Sequence, residues 1–189
     1  MSSQVDIANQ ALVMLGEKKI ISFDDETQVA SAVKTMYAPC KSFVLRSYDW
    51  NCSVKTVVPA MLNETPLGWD YAFAWPEDAL RVIDVIDPNQ PYQSNMEWEI
   101  EGKKIYTDVK NPYIRATFIV SEPELDAHVE RTLVMALARD LSYAITADNG
   151  REQNMDALFE KALMEAKTTD AQERSHKVFR IDQLSRVRY

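Results

Sequence analysis

The chain has 189 residues, 46% of them hydrophobic, and a formal net charge of −8, which is the profile of one folded domain. An acidic chain is not a typical general binder of nucleic acid, because affinity for DNA comes largely from cations that displace counterions. Cys40 and Cys52 follow no spacing motif and predict buried thiols in a reducing compartment. We expect a cytoplasmic product without a signal peptide, since the N-terminus has no basic region before an apolar stretch. No apolar run approaches the ~20 residues of a membrane span, so we expect no membrane partner.

Helical periodicity predicts two N-terminal helices. Apolar residues at three- and four-residue spacing predict a first helix over about residues 4–16, capped by Ser2 or Ser3. A second apolar stripe begins at Val29, behind an acidic cluster in which Asp25 and Gln28 resemble a capping box. We expect Pro39 to kink or split this second helix.

The middle of the chain changes to a period of two, which predicts strands. The aromatic residues between Trp69 and Trp75 alternate with small or acidic residues, and we expect them to form a core face rather than a nucleic-acid stacking platform. A turn at Glu101-Gly102-Lys103 is predicted to join two strands as a hairpin. The strands are predicted at 54–58, 69–75, 80–86, 96–101, 105–107 and 113–120.

The helical period then returns. Ser121 and Glu124 resemble a capping box at the start of a long helix whose apolar stripe ends at Ile145. Asn149-Gly150 is expected to break this stripe before a last helix. The prediction is an α+β fold, a helical bundle of N-terminal and C-terminal helix pairs with a small antiparallel sheet or sandwich inserted. Its divisions are 1–52 (N-terminal helices), 53–121 (β-rich insertion), 122–172 (C-terminal helix pair) and 173–189 (extended arm).

Catalytic and metal-binding patterns are weak in this sequence. Glu97, Glu99 and Glu101 would lie roughly 6.5–7 Å apart on one strand face, near the carboxyl separation of an inverting glycosidase. Nothing apolar in the alternation would raise the pKa of one carboxyl, so a solvated strand face is the better interpretation. His128 and His176 have no zinc-ligand spacing, and His128 is expected on a helix surface. We therefore expect no catalytic residue, metal or cofactor.

Several motifs occur in an order that is characteristic of one family. They are Ala11-Leu12-Val13-Met14-Leu15-Gly16-Glu17, Ile21-Ser22-Phe23-Asp24-Asp25-Glu26, the helix that ends at Trp50, the stretch Trp69 to Val82 with its Pro76, and the final helix pair. Over nearly its whole length the chain resembles the tail tubular protein A group of bacteriophages, which are head-to-tail adaptor (connector) proteins.

The resemblance implies a structural protein of the virion tail, assembled in the host cytoplasm. Such adaptors form a homo-oligomeric, dodecameric ring between the portal protein and the tail nozzle, and DNA passes through the lumen without specific binding. An acidic ring would repel the duplex mildly and let it slide during ejection. Two other functions remain open, a tail-associated peptidoglycan hydrolase and a phage assembly factor absent from the virion.

The C-terminal segment is predicted to be a docking arm. It combines basic residues with apolar residues that alternate as in a strand, so it could add to the edge of a neighbouring sheet. Its basic charge would favour an acidic partner surface. The resemblance suggests the portal or the adjacent subunit as partner, and of these two we favour the portal. The predicted partner-binding residues are Lys177, Val178, Phe179, Arg180, Ile181, Leu184, Arg186, Val187, Arg188 and Tyr189.

Overall fold

The computed structural model describes residues 2–64, 66–90, 96–146 and 149–174. Within these residues the chain forms four α-helices and two three-stranded antiparallel sheets, which confirms the predicted mixture of helices and antiparallel strands. The finer arrangement, a helical bundle carrying an inserted sandwich, stays a prediction. The helices are α1 (Gln4–Met14), α2 (Gln28–Arg46), α3 (Ala127–Thr146) and α4 (Asn149–Glu173). The strands are β1 (Val54–Val57), β2 (Tyr71–Ala74), β3 (Ala79–Ile86), β4 (Trp98–Glu101), β5 (Lys104–Thr107) and β6 (Tyr113–Phe118).

The first two helices are capped by hydroxyl side chains. Ser3 caps α1 as one of the two predicted candidates, and its hydroxyl accepts the backbone N–H of Asp6 at 3.1 Å. Helix α2 begins after Thr27, whose hydroxyl accepts the N–H of Ala30 at 3.1 Å. The predicted Asp25–Gln28 capping box is therefore wrong. The Asp25 carboxylate is already occupied, because it accepts the backbone N–H groups of Ile21 and Ser22 in the preceding turn.

Helix α2 runs without interruption through Pro39, so the predicted split near Ala38 is wrong. Proline has no N–H and leaves the carbonyl of Thr35, four residues earlier, without its helical donor. Both residues lie on the exposed side of the helix, where water can supply that hydrogen bond. Tyr37 and Cys40, on either side of the proline, still point into the core.

The C-terminal helices begin at places other than those predicted. The capping box of Ser121 and Glu124 closes a short 3₁₀ turn (Glu122–Glu124), and Leu125 is extended, so α3 starts only at Ala127. A single 3₁₀ turn satisfies the same backbone donors as the first turn of an α-helix, so the sequence signature does not distinguish the two. The predicted division into two C-terminal helices is confirmed, but Asn149 and Gly150 belong to the first turn of α4 and not to the break.

One hydrophobic core draws residues from all four helices. Helix α3 contacts α1, α2 and α4, and its inward residues have almost no exposed surface. The largest fully buried side chains of this core are Trp50, Phe159, Ile7, Leu12, Leu15, Leu45, Leu133, Leu137, Leu141 and Val33.

A second core draws its residues from both sheets. The first sheet has the strand order β1-β6-β3 and the second the order β2-β5-β4, with every pairing antiparallel. Phe73 and Ile105 of the second sheet share this core with Val82, Val85 and Ile114 of the first. Burial of Phe73 supports the interpretation of the aromatic stretch as a core face.

The predicted hairpin is present as β4 and β5. Its turn holds Gly102 and Lys103, both with positive φ, at 53° and 60°. Two consecutive positive φ values are the requirement of the type I′ turn, whose twist matches that of the flanking strands. The pairing places Ile100 opposite Ile105 and Glu101 opposite Lys104.

We predict that Leu137→Ala lowers the free energy of unfolding by about 2–5 kcal/mol, because Leu137 is completely buried and its truncation leaves a cavity beside α3. Urea unfolding followed by circular dichroism measures the change. The matched control is Leu67→Ala, the same substitution at a leucine that is 100% exposed, for which little change is expected. Equal losses in the two variants would contradict the placement of Leu137 in the core.

Candidate functional site

The segment predicted to bind a partner lies outside the residues that the structure describes. This holds for all ten predicted residues between Lys177 and Tyr189. The structure does describe the point from which the segment departs. Helix α4 ends at Glu173, and Arg174 directly follows it. The contacts of Arg174 therefore fix the position from which the predicted arm starts.

A group of polar and aromatic side chains surrounds this origin, and we call it the junction cluster: Tyr48, Trp50, Asn51, His128, Asp170 and Arg174. Asp170 is completely buried, and its carboxylate accepts the backbone N–H of Asn51 at 2.9 Å. The side-chain amide of Asn51 donates to the carbonyl of Asp170 at 2.9 Å and accepts from Nε of Arg174 at 2.8 Å. These three bonds fasten the end of α4 to the segment that connects α2 with β1.

Aromatic rings complete the junction cluster. Trp50 is fully buried, and its indole N–H donates to the carbonyl of Val44 at 2.8 Å. The Tyr48 ring packs edge-on against Trp50 with centroids 5.0 Å apart, and the Arg174 guanidinium lies 5.5 Å from the centre of the Tyr48 ring. The tryptophan that ends the second helical stretch is therefore a core anchor at the boundary between the helices and the sheets.

His128 belongs to the junction cluster, so its predicted place on a helix surface is wrong. Its side chain is mostly buried, with Nε2 at 3.5 Å from a carboxylate oxygen of Asp170. Ligand atoms of Asp126, His128 and Asp170 lie within 4.8 Å of one another. Sequence reasoning missed this grouping because 42 residues separate His128 from Asp170. One oxygen of the Asp170 carboxylate accepts the backbone N–H of Asn51, and the other lies 3.5 Å from the Arg174 guanidinium, so protein groups already contact both oxygens.

A second buried polar group joins α2 to the 3₁₀ turn. Nζ of Lys41 donates to the Glu122 carboxylate at 2.7 Å, and the Tyr37 hydroxyl donates to the same oxygen at 3.2 Å. Burial by itself would raise the pKa of Glu122. The hydrogen bond and charge of Lys41, with a backbone N–H, outweigh burial and lower that pKa below its usual range. Burial and, after it, the neighbouring Glu122 carboxylate raise the pKa of Tyr37, so this phenol stays protonated and remains a donor.

The glutamate row of the hairpin is solvated. Glu97, Glu99 and Glu101 are all exposed, and the Trp69 indole donates to Glu99 at 3.2 Å. No apolar enclosure surrounds any of the three, so none of them has the environment of a general acid. This agrees with the interpretation of the row as a solvated strand face. It also leaves a line of negative charge along β4.

A groove of about 690 Å³ runs between α1 and α3. Its apolar residues are Val13, Met14, Val134 and Met135, and polar or charged residues of both helices line the remainder. Exposed apolar side chains also occur on the connection between β1 and β2, at Val58, Met61 and Leu67.

The comparisons give no family for this chain. No protein-family model matches the sequence, and no curated protein matches it. Within the described parts of the chain, no helix is both long enough and apolar enough to cross a membrane.

We predict that Lys41→Met lowers the free energy of unfolding at pH 7 by about 3–5 kcal/mol, because it leaves the Glu122 carboxylate buried without its partner. The pKa of Glu122 is depressed in the folded wild type, so the stability it contributes is present at neutral pH and lost as pH falls through that pKa. The difference between wild type and variant should therefore shrink on acidification.

Urea titrations at pH 7 and in mild acid check this expectation. The matched control is Lys34→Met, which removes a lysine of the same helix from an ion pair of the same 2.7 Å length to the exposed Asp24. An exposed pair contributes about 0–1 kcal/mol, so the control should lose little at either pH. A pH-independent loss in Lys41→Met would contradict the assignment to Glu122.

Proposed function

We propose that the chain is a bacteriophage head-to-tail adaptor, a structural subunit that assembles into a ring between the portal and the tail nozzle. The observation that carries this proposal is the order of its motifs. First comes an acidic loop, then a helix that is followed by a tryptophan. An aromatic strand that ends at a proline comes next, and a pair of helices comes last. Each motif alone is common, whereas their order over nearly the whole chain is more specific to the adaptor family.

In this proposal the four helices form one bundle, and the two sheets form a small sandwich inserted between α2 and α3. Two observations support the arrangement. One buried cluster contains residues from all four helices, and the other contains residues from both sheets. The chain leaves the helical core at Trp50 and returns at Glu122, and both residues hold bonds to α2. The sandwich is thereby a projection of the bundle, with its own surface for contacts.

A ring adaptor needs several distinct contact surfaces, for neighbouring subunits, the portal and the nozzle. The groove between α1 and α3 lies on the helical part, and the exposed apolar residues Val58, Met61 and Leu67 lie on the β-rich part. Their separation along the fold suits a subunit that binds different partners at its two parts. The net charge of −8 per subunit suits a lumen that DNA passes without adhering, because many copies would repel the duplex.

We predict that the purified full-length protein forms closed rings, dodecameric in the adaptor family, alone or on portal rings. Native mass spectrometry gives the particle mass, and electron microscopy gives the symmetry, each with and without portal. A protein that stays monomeric under both conditions would contradict the proposal. Proteomics of purified virions provides a second test. Absence of the chain from the particle would favour an assembly factor.

We predict that the protein does not cut peptidoglycan. The change Glu97→Gln, Glu99→Gln and Glu101→Gln should leave phage infectivity near normal, because these carboxylates are solvated and isolated from any apolar enclosure. Turbidity of a cell-wall suspension measures hydrolysis directly, with lysozyme as the positive control. Clearing by the wild type that the triple variant loses would assign hydrolase activity to β4 instead.

A further inference from the structure

Strand β4 is an edge of its sheet. Strand β5 pairs with it on one side, and no strand in the described part of the chain pairs with it on the other. An edge strand offers unpaired backbone N–H and C=O groups to any extended segment of fitting chemistry. The side chains of β4 determine which chemistry fits.

The two faces of β4 differ in chemistry. Ile100 lies opposite the buried Ile105, yet 42% of its surface is exposed, so the apolar face of the sheet continues to the open edge. Glu99 and Glu101 point to the other face and are exposed. Lys104 lies opposite Glu101 and donates to Glu64 at 2.6 Å. The positive charge of Lys104 is therefore shared between Glu101 and Glu64, which lies on another segment. A strand that pairs here would be apolar on one face and basic on the other.

Residues 177–184 of the same chain alternate apolar with polar and charged residues. In an extended conformation Phe179 and Ile181 would lie on one face together with Lys177, and Arg180 would lie on the other together with Asp182. Residues 176–189 contain four basic residues and one acidic residue, in a chain whose overall charge is −8. Charge complementarity between this segment and the glutamates of β4 would favour their encounter and disfavour pairing of two β4 edges.

The number of residues that follow Arg174 determines how far the C-terminal segment can extend from α4. The junction cluster holds Arg174 at the end of α4, through bonds to Asn51 and an ion pair with Asp170. Fifteen residues, 175–189, follow it. A fully extended chain of this length spans at most about 50 Å, which is more than the diameter of a small domain. The segment can therefore extend beyond its own subunit.

We propose that residues 177–184 of one subunit add as a strand to the β4 edge of a neighbouring subunit, with Ile181 on the face of Ile100 and Arg180 on the face of Glu99. The inference rests on the proposed function, because a ring would hold the two subunits side by side. The family resemblance suggests the portal or the adjacent subunit as the partner of the arm, and the portal is the favoured expectation before the structure is considered. The acidic, unpaired edge on the chain itself favours the neighbouring subunit, since it supplies backbone partners, an apolar face and complementary charge at one place.

Cross-linking between two single-cysteine variants tests this pairing. Full-length chains carrying Ile100→Cys and Ile181→Cys, distinguished by affinity tags, are co-expressed, purified together and treated with a short bismaleimide. Strand addition holds the two sulfurs at a high local concentration, so the mixed dimer should exceed that of the control pair at least about tenfold. The control replaces Ile100→Cys by Ile119→Cys, an isoleucine of similar exposure, 46%, beyond the end of β6.

The native cysteines give little background. Burial raises the pKa of the Cys40 thiol, and it raises the pKa of the Cys52 thiol to about 11, so both react slowly at neutral pH. A doubly substituted chain reports the competing arrangement, because pairing within one subunit gives a cross-linked monomer and no dimer. That result would overturn the proposal, and so would cross-linking of Ile181→Cys to portal rings without any to Ile100→Cys.

Charge exchange tests the electrostatic part. Glu99→Lys should reduce the mixed dimer several-fold, and Arg180→Glu on the partner chain should restore it. Reduction without restoration would contradict direct pairing of the two segments.

Failure of this inference is distinguishable from failure of the adaptor function. Rings that bind portal but give no mixed dimer would remove only the strand addition. A mixed dimer from a protein that forms no ring and is absent from virions would leave the strand addition and remove the adaptor function.

Discussion

Helix α3 is the constraint on which the rest of the fold depends, because it is buried against α1, α2 and α4 together. Its residues Leu133, Leu137 and Leu141 have almost no exposed surface, and small residues such as Ala136 and Ala138 let neighbouring helices approach closely. Such a helix is stable only when its partners cover it. Helix α2 ends at Arg46 and α3 begins at Ala127, so residues 47–126 must leave this core and return to it. The sheets accordingly have a hydrophobic core of their own.

The chain leaves the helical core after α2 and returns to it before α3, and at both places it is bonded to α2. At the exit, Trp50 fills the core and donates to the carbonyl of Val44, while Asp49 pairs with Arg81 of β3. At the return, Glu122 pairs with Lys41. A buried ion pair contributes little net stability compared with well-packed apolar residues, but a displaced chain that separates its partners leaves a buried charge unpaired. If the chain entered the helical core at a shifted position, the ion pair between Lys41 and Glu122 would be broken at a cost in free energy. A purely apolar contact at this place would tolerate such a shift better.

Local patterns in the sequence predicted the local features of this fold. Ser3 is one of the two predicted caps, the hairpin turn is where Glu101-Gly102-Lys103 predicts it, and the strand sequences alternate visibly. The errors arise where one local signature serves two structures. Asp25 and Thr27 are both good caps, and only the surrounding turn decides between them. The Ser121 capping box fits a 3₁₀ turn as well as an α-helix. The contacts of Lys41 with Glu122 and of His128 with Asp170 span 81 and 42 residues, and no local pattern encodes such pairs.

Charge imposes a further condition on any assembly of this chain. Subunits of net charge −8 repel one another, so contacts between them must come from apolar surface or from an uneven distribution of charge. The distribution is uneven, because the last fourteen residues carry four basic side chains and one acidic, which leaves the remainder more acidic than the whole. An arm that crosses to the next subunit would place its positive charge on that subunit's glutamates and reduce the repulsion at each boundary. Salt would weaken both this attraction and the repulsion between neighbouring subunits, since both act between exposed charges over a similar range. Under the proposed strand addition, backbone pairing and apolar contacts would then hold the assembly over a wide range of ionic strength, while charge would mainly select the partner and its orientation.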